Sequence, residues 1–305
     1  MFSLSPEKQT DPNEKAAKQS TDSTAVHYDP SSRLPLIPAR YTTEQERADF
    51  LSYHWWGETP MEEFQGYAAE PEGGTGEQRM VDFLSVLPLC SREMQKKALF
   101  RLLDLTAADK SAYEWACDIL EKYLWDENSP MYNEELFIPV LRHRLSNKQL
   151  DEGSEARAAH LLRAASKNRI GEKPYNLLLT LPDGKQKRLQ ELNEIGEERE
   201  TLLVFYDIDC RSCQELLHTL SADPDLSKLN ILTIYLHNQD EESWKTFIKQ
   251  LPENWIHTYD SHEAVLMEEA FYLRSSSALY LLNDKGTIIA KNTTVPLLKE
   301  RRKEK

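Results

Sequence analysis

Apolar positions recur at helical spacing through the first half of the chain and gather into short β-favouring runs in the second. In front of both lies a polar stretch. Residues 1–33 are dominated by Lys, Glu, Gln, Ser, Thr, Asp and Pro. Too few large apolar side chains are present there to offset the entropy of ordering, so a disordered leader is expected. From 34 to 168 the pattern predicts an irregular all-α domain. Its first helix opens at Thr43-Glu44-Gln45-Glu46, where Thr43 can cap and Glu46 can reach back. Phe50, Leu51, His54 and Trp55 follow at helical spacing until Gly57 and Pro60 interrupt. Further helices are marked by Met80, Phe83, Leu84 and Leu87, by Leu99, Leu102 and Leu103, by Tyr113 through Leu124, by Phe137, Val140 and Leu141, and by an alanine-rich run at about 154–166. No period repeats, which argues against a solenoid. The Trp55-Trp56 pair reads as core. The Gly-rich loop Pro71 to Gly76 lacks the strand and lysine of a phosphate loop and reads as a connector.

The texture changes at about Ile170. Tyr175 to Leu181 is strand-like, Pro182-Asp183-Gly184 is turn chemistry, and Thr201 to Tyr206 is a second apolar run. A strand at Ile231 to Leu236 precedes a helix carrying Trp244, Phe247, Ile248 and Leu251. Ser261 can cap another helix running through Ala270 and Phe271. Leu279 to Leu282, the turn Asn283 to Gly286, and Thr287 to Ala290 predict a terminal hairpin. The charged stretch after Val295-Pro296-Leu297-Leu298 leaves little for a final covering helix, so the helical domain is expected to cover one sheet face.

Candidate chemistry sits between the strand at 201–206 and the helix that follows it. Cys210-Arg211-Ser212-Cys213 puts two thiols within bonding reach of each other at a helix start. There, unpaired N–H groups and the helix dipole favour a thiolate, the form that attacks disulfides. Reversible redox exchange is the reading adopted, with a structural disulfide or a zinc site as alternatives. Zinc would need further ligands. Cys90 and Cys117 are far apart in helical segments, and His218 or His237 would have to complete the set. Arg211 would favour the Cys210 thiolate, whereas Asp207 and Asp209 would oppose it.

Charge narrows the partners. With 37 basic and 51 acidic side chains the net charge is -14, which disfavours nucleic acid and anionic membranes. The basic tail Lys299 to Lys305 is interleaved with acids and reads as a solvated end. Four cysteines in 305 residues do not make a disulfide framework, and the start at Met1 is too polar for a signal peptide or membrane span. Any membrane tether would therefore lie outside this sequence.

The run Leu202 to Tyr206 with Asp209-Cys210-Arg211-Ser212-Cys213, Asn168 to Glu172, Pro182-Asp183-Gly184 and Leu279 to Ile289 resembles the thioredoxin-like proteins of the TlpA/ResA and AhpC/TSA-like group. The helical part, through Pro35, Pro38, Thr43, Glu46-Arg47-Ala48 and His54-Trp55-Trp56, is similar to a domain of unknown function that precedes such modules in bacterial cell-envelope proteins. The resemblance implies an α/β thioredoxin-like domain over 169–305, a central mixed sheet flanked by helices, behind the all-α domain. It implies a thiol-disulfide oxidoreductase in which Cys210 attacks and Cys213 resolves, with Arg211, Asp209 and Ser277 as tuning or substrate-contact candidates. Neither cofactor nor metal is expected. Partners would be a disulfide-bearing protein or small thiol and an upstream dithiol donor, in the cell envelope or periplasm and with a lipid anchor as one form of attachment; a cytoplasmic location is the alternative. The sequence departs from the group twice. Ser277 stands where a cis proline is usual, and a cis bond before a non-proline costs about 3–4 kcal/mol against about 0.5–1 before proline, which points to a trans loop. Val204 replaces a buried acid. Both favour the competing reading, a non-catalytic thioredoxin-fold interaction module whose helical domain binds a partner.

Overall fold

Thr43 starts the first helix as its spacing predicts: its hydroxyl accepts the Glu46 amide at 3.2 Å, and the Glu46 carboxylate accepts the Thr43 amide at 3.1 Å. The computed structural model describes residues 25–126, 128–147, 151–194, 199–237 and 240–303. Of the leader expected over 1–33, residues 1–24 lie outside the described residues. Residues 25–33 are held locally: Tyr28 bridges Pro35, and the Asp29 carboxylate accepts the amides of Ser31 and Ser32.

The chain divides into two compact units, Met1–Ile119 and Leu120–Lys305. In the first, α1 (Glu44–His54), α2 (Met61–Ala69), α3 (Thr75–Val86), α4 (Arg92–Thr106) and the start of α5 (Lys110–Trp125) enclose Trp56, Phe64, Met80, Phe83 and Leu99. The tryptophan pair is core, with Trp56 1 % exposed. The Gly-rich loop is a connector whose amides are used internally: Glu70 accepts the Gly76 amide at 2.9 Å. Gly76 is needed for close approach, since a Cβ there would lie 2.4 Å from the Tyr67 ring.

The second unit carries α6 (Glu134–Ser146), α7 (Glu152–Ser166) and a seven-stranded mixed sheet. Its strands are β1 (Leu178–Thr180), β2 (Gln186–Arg188), β3 (Thr201–Tyr206), β4 (Asn230–Tyr235), β5 (Ile256–Tyr259), β6 (Ala278–Leu282) and β7 (Ile288–Ala290), in the order β2-β1-β5-β4-β3-β6-β7. Strands β3, β4 and β5 run parallel; β1 is antiparallel to β5, and β6 to both β3 and β7. Between them lie α8 (Leu189–Glu194), α9 (Arg211–Ala222), α10 (Glu241–Ile248), α11 (Ala264–Met267) and finally α12 (Val295–Lys303). Central β3 is buried along its whole length, so its period-two alternation feeds two cores. Leu203 and Phe205 face Leu232, Ile234, Phe271 and Tyr280; Leu202, Val204 and Tyr206 face Leu217, Leu220, Trp244 and Leu279. Val204, with no exposed surface, is an apolar member of the second core.

Two expectations are corrected. The helix expected from Ser261 through Phe271 is only one turn, α11. Left-handed Glu263 (φ 51°) and the buried Asp260 carboxylate, which accepts the Val265 amide at 2.8 Å, set its start; Glu269 is left-handed at φ 49°, and residues 268–277 run as an irregular loop. The C-terminal stretch, expected to leave little for a final covering helix, forms α12. Pro296 falls in its first turn, where no N–H is required, and Leu298 is 2 % exposed in the Val204 core. Lys299 pairs with Asp223, and Arg302 with Glu200 at 3.9 Å. Among the described residues no helix is long and apolar enough to cross a membrane.

If α12 closes this core, Leu298→Ala should cost about 2–4 kcal/mol in urea unfolding. An unchanged midpoint would mean that the helix contributes nothing to the core.

Candidate functional site

Strand β3 delivers the chain to the sheet's carboxyl end, and Asp207-Ile208-Asp209 turns it into α9. Cys210 is the N-cap of that helix: its sulfur accepts the Cys213 amide at 3.3 Å and meets the Ser212 hydroxyl at 3.1 Å. A sulfur replaces the usual serine, asparagine or aspartate oxygen at this cap. Cys210 is partly exposed, whereas Cys213, one turn in, is fully buried among Tyr206, Leu217 and Leu279. Both thiols are free.

Their environments push them apart. Hydrogen bonds from Cys213 and Ser212 hold the Cys210 thiol below its ordinary range. Burial, with the neighbouring Cys210 sulfur adding to it, pushes Cys213 up to about 12. The Cys213 thiol donates to the Ser276 carbonyl at 3.4 Å, so the loop before β6 faces the two cysteines. Every described peptide bond is trans, including the one before Ser277. The Ser275 hydroxyl donates to the Ser277 carbonyl at 2.7 Å, a local turn with no proline ring. A cavity of about 230 Å³ adjoins this loop, lined by Leu216, Ser275, Ser277, Thr293 and Val295 among others.

The remaining sequence candidates lie at the same end of the sheet. The Arg211 guanidinium is bonded to Glu215 at 2.9 Å and is highly exposed, turned along the helix surface. Asp209 is exposed and gives its amide to the Asp207 carboxylate at 3.0 Å. Asp207 lies 3.3 Å from His237, and its charge acts on both Cys213 and Tyr235. It therefore supplies a carboxylate near the Cys213 thiol that Val204 cannot. His218 is exposed. Among the described residues no group of three or more His, Cys, Asp or Glu side chains could hold a metal ion.

Arg274 escaped the sequence reading. It lies on the loop that meets Cys213, between the rings of Trp125 and Tyr132. No local motif marks it, because its partners are about 140–150 positions away.

A family model described as a domain of unknown function, DUF5106, matches residues 3–168, more than half of the chain. No curated protein matches it. Among solved structures, a thioredoxin-like protein from Bacteroides caccae is 32% identical, covering 89% of this chain and 97% of that one with a TM-score of 0.74. The C-terminal domain of an uncharacterized protein from Bacteroides fragilis is 27% identical over 45% of this chain and 98% of that one, TM-score 0.41. The thioredoxin domain of a thiol-disulfide oxidoreductase from Bacteroides vulgatus is 16% identical over 44% and 96%, TM-score 0.37. With its N-terminal match and its near full-length likeness to the Bacteroides caccae protein, the chain belongs to the DUF5106 family and is a thioredoxin-like protein.

Proposed function

We propose that this chain is a thiol-disulfide oxidoreductase that reduces disulfides in protein or small-thiol partners. The observation that carries the reading is the opposite treatment of two neighbouring thiols, one capped by amide and hydroxyl donors and partly exposed, the other buried and held protonated. The Cys210 thiolate attacks one sulfur of a substrate disulfide. A mixed disulfide forms, and the first substrate thiolate departs and takes a proton from solvent. The Cys213 sulfur then attacks Cys210, its proton leaving with the second substrate thiol. Two electrons have passed to the substrate, and Cys210 and Cys213 are joined. An upstream dithiol protein would return the pair to the reduced form. Cys213 is suited to acting second, since a thiol with its pKa near 12 does not compete for the first attack.

We also propose a cell-envelope location, supported by the resemblance of the helical part to domains found in envelope proteins. Fractionation of the native host should recover the protein with envelope or periplasmic markers; recovery with cytosolic markers alone would exclude it.

Cys213→Ser should accumulate a mixed disulfide on Cys210, since the amide that caps the sulfur survives the substitution. Reduction of insulin should fall at least about a hundredfold in Cys210→Ser, which removes the attacking thiolate. Turnover that persists in Cys210→Ser would instead support the non-catalytic interaction module. The pH profile of alkylation gives a separate check. Rate follows thiolate fraction, so a lowered pKa moves the inflection of Cys210 to the acid side of the about 8.5 of a free cysteine. Cys213 should stay unmodified across the same range. An inflection at or above the free value would show that the cap does not activate the sulfur.

A further inference from the structure

The loop of residues 268–277 carries the carbonyl that meets Cys213, yet it lacks the ring that would fix its path. Something else holds it. The Tyr272 carbonyl accepts the Tyr280 hydroxyl at 2.9 Å and the Asn292 side-chain amide at 3.4 Å. The Tyr272 ring lies 5.7 Å from that of Trp125, tilted by 34°. Arg274 makes the most extensive attachment. Its guanidinium carbon lies 4.3 Å from the centres of both the Trp125 and Tyr132 rings, and its Nη1 donates to the Trp125 carbonyl at 2.7 Å.

Behind Arg274 is a buried charge network. Glu134, 8 % exposed, lies 4.0 Å from Arg274 Nη2 and 2.5 Å from Lys291 Nζ, and accepts the Tyr132 hydroxyl. Lys291 donates to the Lys167 carbonyl at 2.7 Å and to those of Ala164 and Ala165 at 3.3 Å, closing the carboxyl end of α7. These charges are withdrawn from water and paired with one another, although Arg274 Nε and Nη2 are buried without a hydrogen-bond acceptor, so removing one partner leaves the others exposed to the full cost of burial. The end of α5, the start of α6 and the end of α7 are thereby tied to the loop, all inside the unit Leu120–Lys305.

We propose that Arg274 is a positioning residue for the redox pair: clamped between Trp125 and Tyr132, it takes the place of the missing proline, keeps the Ser276 carbonyl against Cys213 and so sets the balance between dithiol and disulfide. The inference rests on the redox reading above. The chemical link is the proton gained on reduction. The Cys213 thiol can donate to Ser276, whereas the disulfide sulfur has no hydrogen and meets the same carbonyl lone pair to lone pair. A correctly placed carbonyl therefore favours the dithiol. A loosened loop loses that preference, and the reduction potential falls.

The test is equilibration of the full chain with glutathione, in which the protein disulfide and two glutathiones give the protein dithiol and one glutathione disulfide. Arg274→Met should lower the equilibrium constant at least about threefold, on a scale where tenfold corresponds to about 30 mV. Arg274→Lys keeps the charge without the flat face or fork, so it should shift the constant the same way by less. It also serves if Arg274→Met does not fold. Ile288→Ala, a cavity in the opposite core, should reduce stability without moving the potential. A wild-type potential in both Arg274 variants, or an equal shift in Ile288→Ala, would overturn the proposal. A wild-type chain that never equilibrates with glutathione would instead overturn the redox reading and this inference with it.

Discussion

Because Cys210 is the residue before α9 and not part of its first turn, its sulfur takes the amide of Cys213 that the helix would otherwise leave without a partner. That bond does two things at once. It stabilises negative charge on the outer sulfur, and it fixes the inner residue one turn along, where its side chain must point into the core of Leu217 and Leu279. The difference between the two thiols follows from the helix start, with β3 as the rigid support that delivers the chain to it. A helix begun one residue earlier or later would change which residue sits at the cap and which sulfur faces the core.

The sources of thiolate stabilisation are neutral donors. Arg211, the cation next to Cys210 in sequence, is bonded to Glu215, and the donors that lower the Cys210 thiol are the Cys213 thiol first, then the Ser212 hydroxyl and the Cys213 amide. The local field runs the other way: Asp207, Asp209, Asp240 and Glu263 together help burial to raise the Tyr235 phenol to about 12. Short-range hydrogen bonds aimed at one atom can act against such a background, because they fall on the sulfur alone while the acidic field is spread over the whole end of the sheet and is screened by solvent ions.

Much of this was legible in sequence because the signals are local. The Thr43–Glu46 box, the period-two burial of β3, the turns at Gly184 and Gly286, and the spacing of Cys210 and Cys213 each lie within a few residues, where propensity and periodicity operate. The misses are of a different kind. The helix expected after Ser261 has acceptable helix formers, but it starts only after left-handed Glu263, where the buried Asp260 carboxylate accepts the Val265 amide, and left-handed Glu269 follows after a single turn. The charged C-terminus forms α12 because Leu298 finds a core and Lys299 finds Asp223, both supplied from elsewhere in the chain. Arg211 drew attention by adjacency, and Arg274 escaped it by distance. A side chain sandwiched between rings from two remote segments leaves no mark on its own neighbourhood.

The two departures from the thioredoxin pattern are connected by the same physics. A buried acid at position 204 would have needed hydrogen bonds or a proton in a core of Tyr206, Leu217 and Leu279, whereas Val204 packs there with nothing to satisfy. A carboxylate stands instead at Asp207, at the strand's end, partly exposed and 3.3 Å from His237. At the facing loop, the proline's covalent restraint gives way to noncovalent ones, the Tyr272 carbonyl bonds and the Arg274 clamp. A ring fixes one peptide bond whatever surrounds it. A clamp fixes the loop only while the segments that form it stay packed, so the geometry at Cys213 is coupled to the integrity of α5, α6 and α7.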